Sequence, residues 1–319
     1  MKNKVLFLMV LIFLTSPYPV YCVPTLNLPG YLMERFATYG GSTAQGFAFN
    51  STGDLFFTGF YEDRILRIPA PFQPGLNAYQ IFATGISDPT DLTFTTDDRL
   101  FVTSSGSNQK VFEVNLSGIF SPFAAGFSAP TSIESYHNNL FVTNSDAGTI
   151  VKVDLTGNTF PFLSGFINPY GLSSDPAGNF YFVEHGTGKI YMSDPSGNVT
   201  LLGETGTGFG GAVSTRVSPD GRILVGDQAS GTIYEIDMVG NLSIFASGFR
   251  GRGHPIIGPS PGGIAFDKDR NMYIGDGPDI WKISAVASPI IPELSTLPLF
   301  AVGIIGIALY GWRRRKKAA

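Results

Sequence analysis

The 319-residue chain predicts an all-β fold, a six-bladed β-propeller, on three observations. A near-repeat recurs six times between Gln45 and Ser284, each copy reads as four short strands, and no segment of the body carries a helical period. The apolar centres of the copies are Leu55, Leu100, Leu140, Phe180, Ile223 and Met272, at spacings of 45, 40, 40, 43 and 49 residues. Self-similarity at a period of about 40–50 residues marks an array of like units, and strand-rich units of that length are propeller blades.

Within a copy, the first strand alternates small and large residues, as in Gly46-Phe47-Ala48-Phe49. A tight turn follows, built on residues such as Thr52-Gly53-Asp54 or Ala177-Gly178-Asn179. Gly, Asn and Asp recur there because hairpin turns require positive φ. The second strand is the most apolar (Leu100-Phe101-Val102, Ile223-Leu224-Val225), as expected of a strand covered on both faces. The third alternates apolar and polar residues (Ile150-Val151-Lys152-Val153, Ile233-Tyr234-Glu235-Ile236) and is predicted half-exposed. A further turn leads to a fourth strand.

The sixth copy supplies no fourth strand after residues 280–284. Glu34-Arg35-Phe36-Ala37-Thr38, ahead of the first copy, is similar to Gln80-Ile81-Phe82-Ala83-Thr84 and to Ser243-Ile244-Phe245-Ala246-Ser247. The N-terminal strand is therefore expected to complete the last blade, closing the ring and removing two open sheet edges. The ring over residues 32–284 resembles the six-bladed NHL and SMP-30/gluconolactonase-like propellers, a resemblance of repeat pattern that bears on fold more than on function.

Two terminal segments stand apart. Lys2 and Lys4, an apolar run over 5–14 and a polar stretch ending at Cys22 read as a secretory signal peptide over 1–22, with Val20 and Cys22 at the −3 and −1 positions. A retained membrane helix and an acylated Cys22 are the alternatives; the run is short for a span, and Tyr21 is bulky for lipid attachment. At the other end, 294–312 is an uncharged span followed by the basic tail 313–319, so a transmembrane helix with a cytoplasmic tail is expected. Pro292 and Glu293, the short span and the basic cluster together resemble a bacterial PEP-CTERM sorting tail. That resemblance implies an exosortase-type processing enzyme as partner, with release to the surface or matrix; Leu294 stands where the pattern has a second proline. A plain membrane anchor is the alternative. The linker and sorting motif occupy 285–293 and the propeller 23–284.

Signal and tail hold 7 of the 21 basic residues and none of the 25 acidic ones, leaving a body of formal charge −11. Such a body argues against nucleic acid as partner. The one cysteine lies in the signal, so an exported body has no disulfide and depends on its core.

Candidate chemistry centres on the residue after each second strand: Gly59, Ser104, Asn144, Glu184, Asp227 and Asp276. Two readings stand. Asn144, Glu184, Asp227 and Asp276 converge on the channel as oxygen ligands, with Ca²⁺ as the candidate ion, or they cap turns through side-chain-to-backbone hydrogen bonds. The SMP-30 resemblance implies a divalent ion held partly by a Glu at the start of the first blade; this chain has Gln45 there and no acid nearby. His137, His185 and His254 are read as structural or solvated, and neighbours Glu184 and His185 point to opposite faces of a strand. The insertions at 69–79 and 250–260 read first as solvated loops without a ligand and otherwise as the binding loops, since they are where blades depart from the common length. With no catalytic residue identified, the expected function is a surface or matrix scaffold that binds protein or exopolysaccharide. The rival is a metal-dependent lactonase or hydrolase.

Overall fold

The computed structural model describes residues 23–286 apart from 40, 42, 73–78, 209 and 251–260. The expected signal peptide, Pro292-Glu293, the span over 294–312, the basic tail and most of both insertions lie outside the described residues.

The strands are β1 (Thr25–Leu26), β2 (Tyr31–Thr38) and then six runs. Blade one holds β3 (Ala44–Phe49), β4 (Leu55–Gly59), β5 (Arg64–Ile68) and β6 (Gln80–Thr84). Blade two holds β7 (Pro89–Phe94), β8 (Leu100–Ser104), β9 (Lys110–Val114) and β10 (Phe120–Ala124). Blade three is β11 (Pro130–Tyr136), β12 (Asn139–Asn144), β13 (Thr149–Asp154) and β14 (Thr159–Ser164). Blade four is β15 (Pro169–Ser174), β16 (Phe180–Glu184), β17 (Lys189–Ser193) and β18 (Val199–Glu204). Blade five is β19 (Ala212–Val217), β20 (Ile223–Asp227), β21 (Thr232–Ile236) and β22 (Leu242–Ser247); blade six starts with β23 (Ile264–Phe266), β24 (Met272–Asp276) and β25 (Asp279–Ala285).

Each blade is an antiparallel sheet, and β2 is the outer strand of blade six, paired with β25. The first strands touch in the cycle β3, β7, β11, β15, β19, β23 and back to β3, so the ring is closed. One feature goes beyond the sequence expectation: β1 adds a fifth strand to blade five, pairing Thr25 with Ser247. Two residues carry no readable strand pattern, and the exposed edge of β22 alone recruits them.

The second strands β4, β8, β16, β20 and β24 are buried at all five positions, which accounts for their unbroken apolar character. Their side chains fill the interfaces between blades. Phe57 packs with Phe36 and Tyr273 between blades six and one, and Phe101 with Ile133 and Val142 between blades two and three. The core is thus six wedges, each joining two neighbours, and fully burying one such phenylalanine contributes about 1.5–3 kcal/mol.

The turns are equally regular. Asp154, Asp175, Asp194, Asp237 and Asp267 each accept the backbone N–H groups of residues two and four positions on, and the amide of the Asn four positions on. The residue before that Asn has positive φ, and is Gly157, Gly178, Gly197 or Gly240 in four turns and Arg270 in the fifth.

Candidate functional site

The register between first and second strands slips near the start of five first strands: between Ala44 and Phe47, Pro89 and Leu92, Pro130 and Ser132, Tyr170 and Leu172, and Ala212 and Ser214. These bulges turn the skipped residues out of the ladder. In the first three blades a second-strand threonine fixes the distortion: Thr58 accepts the Gly46 N–H at 2.8 Å, Thr103 that of Asp91 at 3.1 Å and Thr143 that of Ser132 at 2.8 Å. Thr90 and Thr131 then reach the next blade, donating to the carbonyls of Pro130 (3.0 Å) and Pro169 (3.3 Å). In blade four the bulged residue is Gly171, at φ 47°, where a Cβ would stand 2.6 Å from the Cα of Ser214.

The bulges surround a cavity of about 230 Å³ at the mouth of the central channel. Its chemistry comes from Asp91, Arg216, His185 and Gln228, with Tyr61 and Tyr170 among the aromatic walls. Asp91 keeps a half-buried surface toward the cavity while its oxygens accept N–H groups from Leu92 (2.9 Å) and Ile133 (3.1 Å). Desolvation pushes its pKa up to about 7, against the guanidinium of Arg216 and the two N–H groups, which lower it; the charge of Glu134 adds to the rise. His185 lies against Tyr170, ring centroids 4.8 Å apart and tilted by 31°. Its Nδ1 is 3.3 Å from the carbonyl oxygen of Ala212, which can only accept, so Nδ1 is placed to donate there, and Nε2 lies 3.5 Å from the Gln228 amide nitrogen.

None of the four candidate metal ligands lines this cavity. Asn144 Oδ1 accepts the N–H of Ser128. Glu184 accepts the N–H of Ile167 at 2.9 Å and the hydroxyl of Thr187 at 2.7 Å. Asp227 accepts the N–H and hydroxyl of Ser230 and the hydroxyl of Thr207. Asp276 accepts the N–H of Arg250 at 2.8 Å and the indole N–H of Trp281 at 3.1 Å, and burial raises its pKa. Trp281 lies on β25, and the other donors lie in loops or turns beside the second strands. Among the described residues no three of His, Cys, Asp and Glu are grouped to hold a metal ion.

The next residue along is the one that reaches the mouth: Phe60, Ser105, His185 and Gln228 follow Gly59, Ser104, Glu184 and Asp227. The strand period of two explains the change of face. His185, read from sequence as structural or solvated, is thus a wall of the cavity. Asp91, Glu134 and Arg216 went unremarked in the sequence. Their signal is a charged residue inside a first strand, in Thr-Asp-Leu, Ile-Glu-Ser and Thr-Arg-Val, where a strand lining a channel is the one that can hold it. Gln45 also lines the cavity, so the position at which the resemblance implies an acid is in place and carries an amide.

No family model and no curated protein matches the chain. Solved structures do. A gluconolactonase from Xanthomonas campestris superposes with a TM-score of 0.66 at 11% identity, over 82% of this chain and 94% of that one. Regucalcin, a calcium-binding protein from Agrobacterium tumefaciens, gives 0.64 at 14% identity, over 80% and 94%. Virginiamycin B lyase from Staphylococcus aureus gives 0.59 at 16% identity, over 80% and 99%. The chain is a six-bladed β-propeller with gluconolactonase and regucalcin neighbours, and at these identities the likeness is one of fold.

Proposed function

We propose that the chain is a small-molecule hydrolase acting on a cyclic ester, a lactone, at the channel mouth. One observation carries this reading: a single cavity joins an imidazole whose Nδ1 is held by a carbonyl to a carboxyl that burial keeps partly protonated near neutrality. The gluconolactonase likeness supports the choice of lactone. The scaffold expectation rested on the lack of a catalytic constellation, the missing acid at Gln45 and the sorting tail; Asp91 and His185 lining one cavity favour the hydrolase alternative.

In the reaction the oxygen of a water molecule adds to the ring carbonyl carbon while His185 Nε2 takes one of its protons. The ring C–O bond then breaks, and its oxygen leaves with the proton of Asp91. The imidazolium returns a proton to Asp91, and the product is the open hydroxy acid. Neutral Asp91 is the active form, so turnover falls as pH rises through about 7.

Assay of the purified chain against five- and six-membered lactones tests the proposal. His185→Ala and Asp91→Asn are each expected to lower kcat by about 10²–10⁴. No turnover by the wild-type chain on any lactone would rule the reading out.

A further inference from the structure

The cavity at the channel mouth and a second opening at the far end of the first strands share Arg216. The guanidinium therefore stands inside the channel, between its two ends. Its Nε donates to the carbonyl of Ile264 at 2.8 Å and its Nη1 to Glu134 Oε2 at 3.4 Å. Glu134 is fixed in turn, its Oε1 accepting the N–H of Ser174 at 3.0 Å and the hydroxyl at 2.8 Å. Side-chain exposures of 24% for Arg216 and 13% for Glu134 show how little of the pair meets solvent. Nη2 makes no hydrogen bond among the described residues, and Asp91 feels the guanidinium charge without forming an ion pair with it.

A guanidinium beside carboxyl groups with little solvent exposure favours their charged forms, and here it lowers the Asp91 pKa against the rise that desolvation causes. In this ring the positive charge belongs to the chain itself.

We propose that Arg216 is the resident cation of the channel: its guanidinium holds the position beside Glu134 and Asp91 that a divalent ion would otherwise fill, and offers Nη2 as hydrogen-bond donor to the substrate's carbonyl oxygen. A guanidinium suits both tasks. It stays charged at any working pH, and its planar fork engages Glu134 and Ile264 while leaving an N–H for the oxygen on which charge develops. The second half of the proposal rests on the hydrolase reading; the first half does not.

The test needs no turnover for its first part. Elemental analysis and thermal unfolding of the full chain are run with EDTA and with CaCl₂, on wild type, Arg216→Met and Arg216→Lys. The protonated Asp91 carboxyl is followed by its infrared C=O band against pH, with Asp91→Asn to assign it. The groups facing Asp91 are Arg216 on β19 and Glu134 on β11. Expected are a wild type that carries no stoichiometric metal and unfolds at one temperature in both buffers, and an Asp91 band in Arg216→Met that persists to higher pH by about one unit. Arg216→Lys is expected to restore the wild-type titration. A wild type purified with one divalent ion per chain, or an Asp91 titration unmoved in Arg216→Met, would overturn the proposal. For the second part, Arg216→Met is expected to lower kcat on a turned-over lactone by about 10²-fold with KM little changed, and an unchanged kcat overturns the donor role. If every lactone fails while the titration shifts as stated, the hydrolase reading falls and the resident cation stands.

Discussion

The carboxylates of Asp154, Asp194 and Asp237 are held below their usual range: Asp154 by the hydroxyl of Thr156 and the amide of Asn158, the other two first by the amides of Asn198 and Asn241. A depressed native pKa contributes stability that is present above the unfolded value and lost as pH falls through the native one. The unfolding temperature is therefore expected to hold from pH 7 to about 5 and to decline below that. Asp154→Ala is expected to unfold earlier than wild type at pH 7, with the difference shrinking steadily as pH falls below the usual aspartate range and the native carboxylate takes up its proton. A gap that stays constant across the range would show that the turn contributes through packing instead. These turns were legible in the sequence through Gly157, Gly197 and Gly240, which lie within one hairpin, while the role of the aspartates came from the structure.

Blade six depends on β2 for its outer strand. Phe36 from that strand packs edge-on against Phe72 and Tyr273, with centroids 4.9 and 4.8 Å away. Thr38 donates to Asp279 at 2.5 Å, and Arg250 grips the same carboxylate from Nη2 at 2.6 Å. Phe36→Ala removes a buried ring and is expected to cost about 3–5 kcal/mol, or about 10 °C in unfolding temperature. Deleting residues 23–40 is expected to cost more, since it also opens two sheet edges. Differential scanning calorimetry decides: a truncated chain that unfolds with the intact one would show that the ring does not need its N-terminal strand. The displaced fourth strand was visible in the sequence because Glu34–Thr38 repeats the pattern of other outer strands. The two-residue β1 was not, since only the neighbouring edge defines it.

For the whole molecule, export and sorting remain proposals from sequence. The chain is expected to cross the inner membrane with residues 313–317 left in the cytoplasm and to be processed at Pro292-Glu293. Mass spectrometry of the cell-surface and extracellular fractions checks this, and recovery only of intact chain ending at Ala319 in the inner membrane would favour the plain anchor. The sequence by itself determined the number of blades, their strand order and the way the ring closes, because each follows from contacts within a blade and recurs six times. The channel mouth was decided by tertiary structure alone. Asp91, Glu134, His185 and Arg216 belong to four different blades and are separated by tens of residues, so no local pattern links them. A bulge at the start of a first strand and a one-residue change of phase at the end of a second determine which side chains face the axis. In sequence, Glu184 and His185 are neighbours of equal promise; the strand period gives one to a loop and the other to the cavity.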